Sequence, residues 1–129
     1  MSLIHKGLEN GGWGRFNLLE QMANIGSEVA RTITRHEKGD TAGFNKAVDR
    51  ALELFDLTIG DERWHGPKRR EICRAREVFC DLFFGGNSYK TDPVSLDKYF
   101  LEFARAARFQ RSRPNPEPQI PNSNIQIQK

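Results

Sequence analysis

From Asn17 to His36 the chain runs twenty residues without a proline. Leu18, Met22, Ile25, Val29 and Ile33 recur there at steps of three and four, which is the period of a helix with one apolar stripe. Such a stripe must be covered by other helices, so the segment predicts the first member of a bundle. Glu20, Gln21, Ser27, Glu28, Thr32 and Arg35 fall mostly on the opposite, polar side. A second row, Leu19, Ala23, Gly26 and Ala30, is mostly small. Glycine costs a helix interior about 1 kcal/mol against alanine, so Gly26 predicts close approach by another helix.

Three more segments repeat the pattern. Gly39 ends the first helix and Asp40 or Thr41 caps a second over 41–59. Its wide face holds Phe44, Ala47, Val48, Ala51, Leu52, Phe55 and Ile59, with Leu54 and Leu57 spilling beyond it. Pro67 suits the first position of a third helix, which buries Ile72, Ala75, Phe79, Leu82 and Phe83 before Gly85-Gly86 stops it near residue 84. Asp92 followed by Pro93 opens a fourth helix to about residue 111, with Leu96, Tyr99, Phe100, Phe103 and Ala107 on its face. No segment alternates as a strand does. Four helices with short links predict an all-α, up-and-down antiparallel four-helix bundle over 17–112. Residues 1–16, with four glycines from position 7 onward, predict an irregular lead-in pinned by Trp13 and Phe16. Pro114, Pro116, Pro118 and Pro121 predict a disordered tail over 113–129.

Composition narrows the function classes. The 129 residues suffice for one core. No apolar run approaches the ~20 residues that cross a bilayer, and the first residues lack the apolar centre of a signal peptide, so no membrane association and a cytoplasmic location are expected. Cys73 and Cys80 stand seven residues apart on one helix, about 10.5 Å along its axis. That is too far for a disulfide, and both read as small buried hydrophobes in a reducing compartment.

No metal and no cofactor are expected. Glu62 and His65 form one Glu-x-x-His unit, but a di-iron bundle needs two such units and two further carboxylates. Asp56, Asp61, Glu71 and Glu77 read as surface charges. Arg31 and His36 meet the Arg-x4-6-His pattern and in this resemble the HEPN ribonucleases, which are also helical bundles. The resemblance implies an acid-base and phosphate-binding pair assembled at a dimer interface.

Two further resemblances bear on function. The run Lys6-Gly7-Leu8-Glu9-Asn10-Gly11-Gly12-Trp13, continued by Ala23-Asn24-Ile25-Gly26-Ser27-Glu28-Val29, resembles a group of small uncharacterised prokaryotic helical proteins, which implies no activity. Ala23-Asn24-Ile25 followed by Phe44, Ala47, Ala51, Leu52 and Glu53 is similar to the four-helix-bundle proteins encoded in intervening sequences of 23S ribosomal RNA. Those in turn resemble the accessory variability determinants of diversity-generating retroelements. This implies a basic, ring-forming oligomer that binds nucleic acid or an RNA-handling partner. The similarity covers the first two helices, and the chain departs from it where Gly26-Ser27-Glu28-Val29-Ala30-Arg31 keeps the helix going.

Charge adds a location. Arginine outnumbers lysine thirteen to seven, and the guanidinium fork suits phosphate and carboxylate partners. Up-and-down topology collects Arg15, Arg63, Lys68, Arg69, Arg70, Arg108, Arg111 and Arg113 at one end, with Asp61, Glu62 and Glu71 as the nearby acids. The preferred reading is a non-catalytic, homo-oligomeric scaffold or interaction module that contacts RNA, DNA or an acidic protein through that end. Self-association is expected through Leu54, Leu57, Val78 and Phe84. The alternative is a HEPN-type ribonuclease using Arg31 and His36.

Overall fold

The computed structural model describes residues 12–112. The expected tail and Arg113 lie outside the described residues, as does most of the lead-in. A single 3-10 turn at Trp13–Arg15 precedes four helices, α1 (Leu18–Glu37), α2 (Thr41–Ile59), α3 (Pro67–Phe84) and α4 (Pro93–Ser112). Among the described residues there is no strand, and no helix is long and apolar enough to cross a membrane.

The helix ends follow local chemistry. Asn17 caps α1 through a reciprocal box: its side chain accepts from the Glu20 N–H at 2.9 Å, and the Asn17 N–H donates to Glu20 Oε1 at 2.9 Å. Gly39 takes the left-handed conformation past the end of α1, with φ +70°. Asp40 and Asp92 accept from the N–H groups of Gly43 and Ser95 at 3.0 and 2.8 Å, capping α2 and α4. At α3, Pro67 fills the first position but Gly66 offers no side-chain cap.

Helix α1 packs closely against both α2 and α4, whereas the backbones of α2 and α3 meet less closely and those of α3 and α4 stand farther apart still. Gly26 accounts for the close side. A Cβ built on it would lie 2.7 Å from Phe100 Cβ, so α4 comes nearer here than any side chain at 26 would permit. The wider sides are filled by phenyl rings. Phe55 sits 5.8 Å from Phe79 and 6.2 Å from Phe100 between ring centroids, and Phe79 continues to Phe83 at 5.5 Å. All of Phe55, Phe79 and Phe100 are buried. Each phenyl taken out of water contributes roughly 1.5–3 kcal/mol.

Four side chains lie elsewhere than their sequence pattern suggests. Gln21 and Thr32, assigned to the polar side of α1, are both fully buried. The core face of α2 is rotated from its expected centre: Ala47, Ala51, Leu54, Phe55 and Thr58 are buried, while Phe44, Leu52 and Ile59 are only partly so. Leu54 therefore belongs to the core at 3% exposure instead of an outer patch. Glu71 is buried as well, at 8% exposure. Of the four apolar residues expected at an interface, Leu57 and Val78 pack partly against the core and only Phe84 stays well exposed.

Candidate binding surface at the bundle end

The antiparallel order brings the start of α1, the end of α2, the link 60–66, the start of α3 and the end of α4 to one end. Hydrogen bonds tie these pieces together. Asn17 Nδ2–H donates to Gln110 Oε1 at 3.0 Å, joining the start of α1 to the end of α4. Arg63 Nη2–H donates to the Phe16 carbonyl at 2.8 Å, joining the link to the lead-in.

Gln21 is the hub. Its amide Nε2–H groups donate to the Trp13 carbonyl and to Asp61 Oδ2, each at 3.0 Å, and its Oε1 accepts from Trp64 Nε1–H at 2.8 Å. A glutamine amide offers two donors and one acceptor oxygen, and all three atoms are used, which is why it can stand wholly out of water. Trp13 Nε1–H donates in turn to Thr58 Oγ1 at 3.0 Å, and that hydroxyl donates to the Leu54 carbonyl at 2.8 Å. Both indoles thus present an apolar body to the core and satisfy their polar edge. Within the described residues 12–16, Trp13 is buried in the core and Phe16 lies edge-on to it at 5.5 Å.

Asp61 closes this network and is no simple surface charge. Arg63 grips it bidentately, Nε to Oδ1 at 3.0 Å and Nη2 to Oδ2 at 2.7 Å. That hydrogen bonding, with help from Gln21 against a burial cost, lowers the Asp61 carboxyl to about 2. The sign of the linkage follows. A carboxyl depressed in the folded state contributes stability that is present above its unfolded value near 4 and is lost as pH falls through about 2. Wild type is expected to lose more stability than Asp61→Asn between pH 4 and pH 2 in urea titrations followed by circular dichroism. Parallel acid profiles for the two would show that the Arg63 grip adds nothing.

The other cations of this end fall into two groups. Arg63 is committed to Asp61 and lies 4.6 Å over the Trp64 ring, and Lys68 stands 5.7 Å from the same ring. Arg15 is exposed and donates at 3.4 Å to the Gly12 carbonyl. Arg69 and Arg70 at the start of α3, and Arg108 and Arg111 near the end of α4, are exposed, and among the described residues no ion pair holds them. Arg105, Arg108, Phe109, Arg111 and Ser112 line one shallow depression on α4. Of the acids expected nearby, Asp61 is held by Arg63, Glu71 is buried, and Glu62 is exposed in the link.

Arg31 and His36 lie toward the opposite end of the bundle. Five helical steps separate them by about 140° around α1. Arg31 Nη1 pairs with Glu28 Oε1 at 2.8 Å, and the His36 ring packs at 5.3 and 5.4 Å from Phe44 and Phe83. Within one chain they share no face. Glu62 and His65 are both exposed in the non-helical link, so their spacing does not project two ligands from one helix. Cys73 and Cys80 are free but only half-buried instead of fully buried, and burial pushes the Cys80 thiol up.

A second concavity went unnoticed in the sequence. Where α3 and α4 stand apart, a cleft of about 310 Å³ is lined by Glu71, Arg74, Ala75, Val78, Leu96 and Tyr99, among others. Tyr99 O–H donates to Glu71 Oε2 at 2.6 Å, and burial together with that carboxylate raises the Tyr99 hydroxyl well above its ordinary value. One signal was present: Glu71 sits one and two turns before Ala75 and Phe79, on the face that α3 buries.

No protein-family model, no curated protein and no solved structure matches this chain.

Proposed function

We propose that the chain is a non-catalytic binding module whose basic end takes a nucleic-acid backbone. The observation that carries this reading is the division of labour among the charges. Two of the three acids at that end, Asp61 and Glu71, are engaged within the fold, and Arg69, Arg70, Arg108 and Arg111 stand exposed with no ion pair among the described residues. Lys68, Arg69 and Arg70 also occupy the first turn of α3, where a helix dipole disfavours cations and where no side chain caps the free N–H groups. They do not serve their own helix. A phosphate placed there would relieve both the charge and the unmet donors. The resemblance of α1 and α2 to the ribosomal-RNA intervening-sequence proteins points the same way. Self-association, which that resemblance also implies, narrows to Phe84 at the far end of α3, since Leu54 is spent inside the core.

Labelled RNA or DNA is expected to bind the full chain at low salt, with a log-log salt slope of about −0.7 to −0.9 per phosphate contacted. Replacing Arg69, Arg70, Arg108 and Arg111 by glutamine should make that slope shallower by roughly 3 to 4, one contact per arginine. Absence of binding at low salt, or a slope that ignores the replacements, would overturn the reading. Binding of polyglutamate but not of nucleic acid, with the same arginine dependence, would reassign the end to an acidic protein.

A further inference from the structure

The cleft between α3 and α4 shares no residue with the arginines assigned to a phosphate backbone. It opens where the two helix backbones stand apart, and Ala75, Val78 and Leu96 give it an apolar wall. Its volume of about 310 Å³ equals about ten waters at ~30 Å³ each, which suits a ligand of roughly that many non-hydrogen atoms. Two opposite charges share this space with the apolar wall. Glu71 lies deep, with 8% of its surface exposed, and Arg74 lies at the exposed rim. Three residues separate them on one helix, about 4.5 Å along its axis.

Both charged residues already have partners within the fold. Neither has to give one up. Tyr99 O–H donates to Glu71 Oε2 at 2.6 Å, and a carboxylate accepts about four hydrogen bonds over its two oxygens. Arg74 stands 6.0 Å from the Tyr89 ring, and a guanidinium carries five N–H donors. Burial and the neighbouring carboxylate hold the Tyr99 proton in place, so this hydroxyl stays a donor and the cleft keeps its inner negative charge. A fitting ligand therefore brings a cation inward, an anion toward the rim and an apolar body between the helices. We propose that the cleft binds a free amino acid with an apolar side chain, its ammonium on Glu71, its carboxylate at Arg74 and its side chain against Ala75, Val78 and Leu96.

The test is an NMR titration of the isotope-labelled full-length chain with three probes that share a phenyl group. L-phenylalanine carries both charges, 3-phenylpropanoate lacks the ammonium, and 2-phenylethylamine lacks the carboxylate. L-phenylalanine at about 10 mM, a concentration suited to the affinity of so small a ligand, should shift the amides of 71–78 and 95–99. The probe without ammonium should bind about 10- to 100-fold more weakly, because its absence forfeits a hydrogen bond to a buried charge. The probe without carboxylate should lose only about 2- to 5-fold, because Arg74 stands in water. Glu71→Gln should erase most of the preference for L-phenylalanine over 3-phenylpropanoate. Val78→Phe, which fills the cleft from its wall, should abolish binding of all three, with thermal melting as the check on folding. The inference is overturned if L-phenylalanine leaves the spectrum unchanged, if it shifts other regions instead, or if Val78→Phe binds it as wild type does. Equal binding of 3-phenylpropanoate by the wild-type chain overturns the assignment of an amino acid even if Glu71→Gln fails to fold. None of the probes is a nucleic acid, so the basic end stands or falls separately.

Discussion

Gln21→Met should lower the stability of the fold by about 2–4 kcal/mol. Methionine matches glutamine closely in length and volume, so the core keeps its shape and loses only polar partners. Trp64 Nε1–H is then stranded, and the Trp13 carbonyl and Asp61 Oδ2 each lose one of two partners, the Phe16 N–H still bonding the first at 3.1 Å and Arg63 the second at 2.7 Å. A buried donor or acceptor left unmet costs about 1–3 kcal/mol. Asp61 recovers part of its loss through Arg63, which still holds it. Urea denaturation followed by circular dichroism gives the measurement. A variant within about 1 kcal/mol of wild type would mean that water or a rotated side chain replaces the glutamine at no cost, and that the hub is not one.

The second large effect is expected at Gly26, where size should matter more than helix propensity. Alanine at this position would gain about 1 kcal/mol in an isolated helix. In the bundle its Cβ meets Phe100 Cβ at 2.7 Å and Cγ at 3.3 Å, atoms next to the backbone that cannot swing away. Overpacking of this kind costs about 1–3 kcal/mol, so Gly26→Ala should be neutral to destabilising in spite of its propensity. Gly26→Leu, which must push α4 away from α1 altogether, should cost more than about 3 kcal/mol and expose the phenyl chain behind Phe100. A thermal melt in which Gly26→Ala gains stability would show that the two helices part easily.

These two residues also mark where sequence reasoning reached and where it stopped. Gly26 was legible because its conformational cost has one common remedy, a close neighbour. Gly39, Asp40, Pro67 and Asp92 were legible because each acts on backbone groups within four residues of itself. Gln21 was not. Its polarity assigns it to solvent, and only partners 8, 40 and 43 residues away in sequence make its burial tolerable. Glu71 failed for the same reason, with its Tyr99 partner 28 residues on. Leu54 failed differently. The apolar arc of α2 is wider than half the helix, so periodicity fixes that the arc is buried but leaves open which residue faces the centre. The end of the bundle that carries the arginines followed from helix count and direction alone. The commitment of Arg63 to Asp61 and the cleft between α3 and α4 needed coordinates.

Both tryptophans of the chain, Trp13 and Trp64, belong to the network at the arginine-bearing end, and both are nearly closed to solvent. One bonds to a threonine hydroxyl and the other to the Gln21 amide, beside two cations. The other end of the bundle holds phenylalanine and histidine but no indole. Intrinsic emission excited at the red edge of the absorption band, where phenylalanine and tyrosine are silent, therefore reports on one end of this molecule only. The fold has in effect placed its two native fluorophores within the same cluster of side chains, so local loosening there is optically separable from events at the α1–α2 turn without any label being attached.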